Sequence, residues 1–326
     1  MRATVARLLA LRRLRVASVV LAVVVPPLVT SPADLEDLSR LLVLTLAVLG
    51  VGLLAGTSGL ISLGHAIFVG FGAFCMANLL DTPMPAAVAL VVTTVATGAL
   101  GMLVGIPAVR VRGPYLALIT FGLSVIFTPL GRFLSRFTGA PLGKTVDIES
   151  YLPPKGLGLD ERLHLWNYGV VVTVVGIWFL LAHNLLGSRM GRAVRATRDQ
   201  ELAASTFGIN LAWAKTGIFG VSAAMAGTAG ALQAVVDPFL QVNTFDWLQS
   251  LEIYASAIIG GVGSLLGALL GVVILIVMPA LNTAIGLFDS AALAFGVTLL
   301  IVTFVAPDGL AGRLARLAEP VDDSTG

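Results

Sequence analysis

The sequence predicts an all-α fold, a polytopic helical membrane protein with about ten transmembrane spans and glycine-rich broken segments. The 326 residues are 57% hydrophobic and only 12% charged, whereas soluble domains carry about 25% charged residues. Several apolar runs approach the roughly 20 residues that cross the hydrocarbon core of a bilayer. The 36 glycines agree with this class, because small residues let membrane helices approach closely.

The amino-terminal region imitates a signal peptide but is interpreted as an uncleaved first span. Five arginines precede an apolar run at about 16–30, which meets Pro26 and Pro27 and has no clear small-residue cleavage site. Because Lys and Arg collect on the cytoplasmic side, residues 1–15 are expected inside the cell. The lone Cys75 excludes a disulfide framework and a cysteine metal site.

The later apolar runs predict spans that alternate in direction. The predicted spans lie at about 41–56, 85–108, 113–130, 166–187, 216–236 and 288–306. The polar segments expected outside are a loop at 31–40, a loop at 131–165 and a segment at 237–249. The loop 188–215 and the tail 307–326 are expected inside.

Two further apolar segments are rich in glycine and are expected to bend or break. They are residues 56–80 and residues 247–278. We expect the second segment to cross twice, turning near Gly263, because a single crossing would place Arg313 and Arg316 outside. Ser62-Leu63-Gly64 and Ser264-Leu265 form a weak internal echo, and corresponding broken segments in two halves indicate a transport pathway. Whether these segments cross fully or re-enter stays open.

The longest polar interruption, GSRMGRAVRATRDQELAASTFGINLAWAK, carries five basic residues against two acidic ones. Such a basic loop between apolar spans marks the cytoplasmic side. Asp199 is expected to cap a short helix, and Gly208 is expected to end it in a left-handed conformation, with Asn210 as a turn residue. Leu202 and Phe207 lie between these stops, so we interpret the segment as a surface helix that docks on another protein.

This loop resembles the segment of ABC-importer permeases in which an E-A-A…G pattern meets the ATPase. More closely, the chain resembles the LivM-type branched-chain amino-acid permeases. Three more stretches carry that resemblance: GLISLGHAIFVGFGAF (59–74), RGPYLALITFGLS (112–124) and SLEIYASAIIGGVGSLLGALLG (250–271). The resemblance covers about 40–306 and implies a single permease domain. The ATPase-coupling residues that it implies are Arg192, Arg195, Arg198, Glu201, Ala203, Ala204 and Gly208.

The resemblance further implies a permease subunit, not an enzyme, that moves branched-chain amino acids across the bacterial inner membrane. One or two cytoplasmic ATP-binding subunits would dock on 188–209 and bind the ATP, so the chain itself needs no cofactor. A second permease, either a copy or a paralogue, and an external substrate-binding protein would complete the assembly, with lipid around it and no nucleic acid. Alternative cargoes are urea, short amides or other amino acids. A secondary transporter and an intramembrane serine hydrolase are the alternatives from other classes.

Polar and glycine residues inside the apolar segments are candidates for the translocation path. Ionisable residues within a span indicate function by default, and ordinary helix–helix hydrogen bonding or close packing is the alternative for each candidate. His65 follows Ser62 by three residues, which places both on one face if the segment is helical. The candidates are Ser62, His65, Tyr115, Thr120, Glu252, Gly260, Gly261 and Gly263, and no metal site is predicted.

Two motifs are interpreted as coincidences. Residues 138–145 nearly spell a phosphate-binding loop, but no strand precedes them and they lie in an external loop. Gly56-Thr57-Ser58-Gly59 matches the G-x-S-G of intramembrane serine proteases. A serine nucleophile needs a base within about 3 Å, and His65 would lie about 10 Å further along a helix.

Overall fold

The computed structural model describes residues 31–108, 114–146, 151, 162–285, 291–306 and 309–318, and its regular structure is almost entirely helical. The helices are α1 (Pro32–Ser58), α2 (His65–Leu80), α3 (Ala86–Ala108), α4 (Pro114–Phe133), α5 (Ser135–Thr138), α6 (Leu163–Gly187), α7 (Arg189–Asp199), α8 (Glu201–Thr206), α9 (Leu211–Val236), α10 (Trp247–Gly260), α11 (Leu265–Ile285), α12 (Ala291–Val305) and α13 (Gly309–Ala318). The short strands β1 (Lys144–Thr145) and β2 (Phe239–Leu240) pair antiparallel. The all-α class is therefore confirmed, and the predicted first span at 16–30 lies outside the described residues.

The first described helix, α1, begins nine residues before the predicted start of its span, so the loop expected at 31–40 is helical instead. The side chain of Ser31 accepts a hydrogen bond from the Asp34 backbone, and the Asp34 carboxylate accepts one from the Ser31 backbone N–H at 3.0 Å. This reciprocal capping box satisfies two N–H groups at the helix start. The acidic residues that suggested a loop suit this first turn, because the helix dipole favours negative charge there.

The central element is α9, which is almost completely buried and packs against α1, α2 and α3. Helix α1 runs antiparallel to it, since Ser222 bonds to the carbonyl of Gly50 while Arg40 pairs with Asp237 just beyond α9. These contacts define two ends of the molecule. The strands β1 and β2 lie at the sheet end, and residues 188–209 lie at the opposite, basic-loop end.

Nine described segments run between the two ends. Among the described residues, six stretches are long and apolar enough to span a membrane: α1, α6, α9, nearly all of α3 and α4, and the stretch Gly296–Arg313 at α12 and α13. Helix α2 and Leu265–Leu281 of α11 are shorter apolar helices. Residues 59–80 make one traverse that is irregular over 59–64 and helical in α2. Helices α10 and α11 form an antiparallel hairpin that turns at 261–264, so the predicted turn near Gly263 is confirmed. Together with the span predicted at 16–30, which lies outside the described residues, these traverses agree with about ten spans.

The carboxyl-terminal helix α13 returns to the basic-loop end. Gly309 lies so close to Gly261 that a Cβ on Gly309 would overlap the backbone there. Arg313 and Arg316 are carried by this helix, and both are exposed. The basic tail and the basic loop therefore lie at the same end of the molecule, as the charge argument required.

At the sheet end, the three segments that were expected outside come together. Residues 144–145 pair with residues 239–240, and the backbone N–H of Val146 donates to the carbonyl of Pro238 at 2.8 Å. The guanidinium of Arg40 donates to Asp237 at 2.8 Å. Lys144 pairs with Asp81 at 2.7 Å. Segments far apart in sequence thus form one continuous surface.

Glycines let α9 approach its neighbours with backbone against backbone. A Cβ on Gly230 would overlap the carbonyl oxygen of Val69 in α2, and one on Gly72 would overlap the backbone of Gly227. The hydroxyls of Thr94 and Thr228 meet at 2.8 Å across α3 and α9. Small residues and hydroxyl pairs are the means by which helices associate in lipid, where apolar burial gives little driving force.

We expect Gly230→Val to destabilise the helix bundle, because the added side chain has no space against the carbonyl of Val69. The cost should be about 1–3 kcal/mol, the usual range for overpacking. Detergent-solubilised protein unfolded by SDS titration measures it. Gly176→Val in α6 is the matched control, since nothing lies within 4 Å of a Cβ there. Equal stability of the two variants would contradict the packing of α9 against α2.

Candidate functional site

Residues 59–64 interrupt the helical chain between α1 and α2, and we call this segment the first break. Hydroxyls from other helices hold its backbone. Thr120 Oγ1 of α4 accepts a hydrogen bond from the N–H of Leu63 at 2.9 Å, and Ser124 Oγ donates to the carbonyl of Leu63 at 3.2 Å. Ser250 of α10 accepts from the N–H of Ala66 at 3.0 Å. Without these partners, the backbone groups would be unpaired in an apolar interior, which is costly.

The imidazole of His65 is completely buried and joins α2 to α9 and α1. Its Nε2 lies 2.7 Å from Ser222 Oγ, and its Nδ1 lies 3.0 Å from Ser62 Oγ. Ser222 donates its only proton to the carbonyl of Gly50 at 2.7 Å. The hydroxyl must therefore accept from Nε2–H, which leaves Nδ1 to accept from Ser62. This network fixes the position of the imidazole ring between Ser62 and Ser222.

The geometry around His65 differs from the sequence expectation in one respect. Ser62 does not share a helix face with His65, because it lies in the first break and α2 begins only at His65. The two side chains still meet, because Gly64, with no side chain, lies against the backbone of Thr120 and lets the chain turn there. The proximity that the three-residue spacing predicted is present, but a turn produces it instead of a helix.

The turn between α10 and α11, residues 261–264, is the second break. Gly263 has a φ of 83°, in the left-handed region that favours glycine. Its backbone lies directly against Gly56 near the end of α1, with no room for a Cβ on Gly56. Gly260 packs in the same way against Gly267. The second break therefore lies against the last turn of α1, just before the first break, and the glycines serve close backbone contact, the alternative that the sequence left open for them.

The basic loop contains two helices, α7 and α8, and three arginines of α7 bond to the ends of other helices. Arg192 donates to the carbonyl of Gly187 at 2.8 Å, and Arg195 donates to that of Leu186 at 2.6 Å. Arg198 donates to the carbonyl of Gly56 at 2.5 Å. Cations at a helix carboxyl end pair with carbonyls that have no helical partner. These arginines thus bind α7 to α6 and α1.

Helix α8 has the form that the sequence predicted, with one correction. Gly208 has a φ of 81° and follows the end of the helix. Asp199 does not cap α8, since it is the last residue of α7 and Gln200 occupies the cap position. The extended backbone of Gln200 separates the two helices, so Asp199 belongs to the preceding one. Asn210 caps α9 instead of occupying a free turn.

One face of α8 is fixed to the protein and the other is open. The carboxylate of Glu201 pairs with the ammonium of Lys215 in α9, and Ala204 is buried. Leu202 is 85% exposed and Phe207 is 87% exposed. The exposed side is therefore a small apolar surface held by an ion pair to the central helix.

The remaining translocation-path candidates, Tyr115 and Glu252, lie away from the two breaks. Tyr115 is 65% exposed on α4. Glu252 is half-buried in a cleft toward the sheet end with Arg40, Gln233 and Asp237. Sequence reasoning missed those three cleft residues, together with Ser124 and Ser222. Only Ser124 had a usable signal, because it follows Thr120 by four residues and so shares its helix face.

The key side chains of the two coincidental motifs, Ser58 and Lys144, form hydrogen bonds within the protein. Ser58 Oγ donates to the carbonyl of Leu54 at 2.7 Å, and the ring nitrogens of His65 are engaged by other serines. Lys144 Nζ bonds to Asn78 and Asp81, both at 2.7 Å. Neither the serine nor the lysine has the arrangement of a hydrolase or a nucleotide site.

Comparison with known proteins identifies relatives over most of the chain. A family model described as "Branched-chain amino acid transport system / permease component" matches residues 36–306. The permease protein LivM of the high-affinity branched-chain amino acid transport system of Escherichia coli K12 is 28% identical over 328 residues, covering 90% of this chain and 73% of LivM. LivM of Salmonella typhimurium is 27% identical, covering 87% of this chain and 71% of the relative. The permease protein LivH of Salmonella typhimurium is 34% identical over 130 residues, covering 39% of this chain and 41% of LivH. No solved structure matches significantly.

We expect Thr120→Val to weaken the first break, because it leaves the buried N–H of Leu63 without an acceptor. The loss should be about 1–3 kcal/mol, the usual cost of such a group, measured by SDS-titrated unfolding. Thr173→Val in α6 is the control, since its exposed hydroxyl bonds only to the carbonyl of Gly169 in its own helix. A Thr120→Val protein as stable as the control would show that Thr120 does not support the break.

Proposed function

The chain belongs to the family of permease components of branched-chain amino acid transport systems, and from this premise we propose that it is the permease subunit of an ABC importer for leucine, isoleucine or valine. The observation that carries the proposal is the family match, which extends from the first turn of α1 to the end of α12. The relatives named LivM and LivH are permeases of such transport systems.

The proposed orientation places the basic-loop end in the cytoplasm and the sheet end outside. The positive residues of α7 and α13 at one end support this orientation, because cytoplasmic segments are enriched in Lys and Arg. The continuous surface at the sheet end would then receive the substrate-binding protein. A second permease, a LivH-like paralogue or a copy of this chain, would supply the other half of the path.

The exposed face of α8 is the proposed docking site for a cytoplasmic ATPase. Its apolar residues, Leu202 and Phe207, suit burial in a groove on the partner. Motion of α8 would pass directly to α9 through the Glu201–Lys215 ion pair. Motion of α7 would pass to the end of α1 through Arg198.

The transport step follows from this connection. The docked loop contacts α1 and α9, and Ser222 of α9 bonds both to His65 beside the first break and to the carbonyl of Gly50 in α1. ATP binding would close the ATPase pair and favour the arrangement of α1 and α9 that fits the closed pair. A partner can shift such an equilibrium only by contacting the two states differently, and the rigid links at Lys215 and Arg198 supply that difference. The ATP stays on the ATPase, and this chain supplies the moving helices.

We expect the double variant Leu202→Ala and Phe207→Ala to insert in the membrane normally but to lose the ATPase. Both side chains are exposed, so their truncation removes no internal packing, whereas an interface anchor costs at least about 1–2 kcal/mol when truncated. Recovery of the ATPase with the tagged chain should fall at least about tenfold, the equivalent of 1.4 kcal/mol. Leu142→Ala, 84% exposed and at the sheet end, is the control. Full ATPase recovery with the double variant would contradict docking on α8.

The proposed function as a whole is tested by purifying the tagged full-length chain from membranes in mild detergent and identifying what accompanies it. We expect P-loop ATPases and a second permease, followed by ATP-dependent uptake of tritiated leucine when the assembly and its external binding protein are reconstituted in proteoliposomes. Recovery of the chain alone with ATP-independent uptake would indicate a secondary transporter instead.

A further inference from the structure

A cleft of about 200 Å³ opens between α1, α9, α10 and α11 on the sheet side of the first break. One part of its wall is aliphatic and is formed by Val43, Val236, Ile253 and Leu275. The cleft belongs to none of the contacts that hold the two breaks or the basic loop. Its volume and apolar wall suit a small ligand with a branched hydrocarbon side chain.

The polar part of the wall is unusually rich in hydrogen-bond acceptors that have no donor. The side-chain oxygens of Gln233 and Gln249 are buried and have no hydrogen-bond partner among the described residues. Within the same residues, the half-buried carboxylate of Glu252 forms no ion pair. Unpaired buried acceptors are rare and costly. The Glu252 carboxylate can therefore accept hydrogen bonds from an ammonium group in the cleft.

A guanidinium borders the same cleft. Arg40 donates through Nε and Nη2 to Asp237 and through Nη1 to Asp37. Because a guanidinium has five N–H donors, Arg40 retains donors for a further anionic group. The cleft thus presents acceptors for a cation, a guanidinium for an anion, and an aliphatic surface beside them.

We propose that this cleft is a binding site for a zwitterionic aliphatic L-amino acid, with Glu252 holding the ammonium group and Arg40 bordering the carboxylate. The inference rests on the proposed function and makes the cleft a first binding station for cargo that enters from the sheet end. Helix α10 carries both Glu252 and Ser250, which holds the first break. An occupant of the cleft would therefore contact the helix that positions the break.

Equilibrium binding of tritiated L-leucine to the full-length chain in lipid nanodiscs tests the site. Saturable binding is expected, at least tenfold weaker in Glu252→Gln and unchanged in Glu36→Gln, which removes an exposed acid at the same end. Competition on the unaltered chain gives a readout that needs no variant. Leucinamide, which keeps the ammonium group, should displace leucine, and 4-methylpentanoate, which lacks it, should not.

The proposal is overturned if the wild-type chain shows no saturable binding, if Glu252→Gln binds leucine as tightly as wild type, or if 4-methylpentanoate competes as well as leucinamide. Uptake by the reconstituted transporter separates this failure from failure of the proposed function. ATP-driven leucine uptake that is unchanged in Glu252→Gln would support the importer function and contradict the cleft as a leucine-binding site. Absence of leucine uptake by the wild-type transporter would contradict the proposed function as a leucine importer, whatever the binding result.

Discussion

A helix that stops inside an apolar environment leaves backbone groups without partners, and the arrangement of this protein depends on how those groups are satisfied. The N–H and the carbonyl of Leu63 in the first break pair with hydroxyls on α4, and the N–H of Ala66 at the start of α2 pairs with Ser250 on α10. His65, at the start of α2, is held between two serines, one of which also bonds to α1. These bonds join the break and the start of α2 to α4, α9 and α10, so the break orders the bundle around it. An irregular segment at this depth is tolerated only where protein surrounds it.

The second constraint is distance. Hydroxyls can reach the first break only if the helices that carry them lie close, and glycines provide that closeness along α9 and at the second break. The contact of Gly56 with Gly263 places the second break against the end of α1, directly before the first break. Paired breaks of this kind occur in transporters, where they create a pathway or allow helices to move. The glycines that predict bends in the sequence are, in the structure, the residues at which helices pack with backbone against backbone.

The basic loop has an internal role, in which its arginines bond to other helices, and an exposed apolar face, and the number of its charges does not distinguish the two. Its arginines lie where the positive-inside rule predicts, yet Arg192, Arg195 and Arg198 all bond to helix carbonyls of the protein itself. The surface left for a partner is apolar and is carried by α8. The charges therefore fasten the loop to the transmembrane helices, and the exposed face of α8 is available for docking. A movement of the loop has a direct mechanical route to α1 and α9.

The sequence alone determined the all-α membrane class, the broken segments and the short helix of the basic loop, because these follow from composition, local apolar runs and local turn chemistry. It also identified Ser62, His65 and Thr120 as polar groups in apolar surroundings. It misplaced the start of α1 and the cap of α8, because acidic residues suit loops, helix starts and helix ends alike. Only the tertiary structure decided which partners those polar groups have, since Ser222, Ser124, Ser250 and Gly50 lie on other helices, some of them far away in sequence. The cleft around Glu252 has the same origin: its acceptors come from α9 and α10, and only the packing of those helices brings them to one wall.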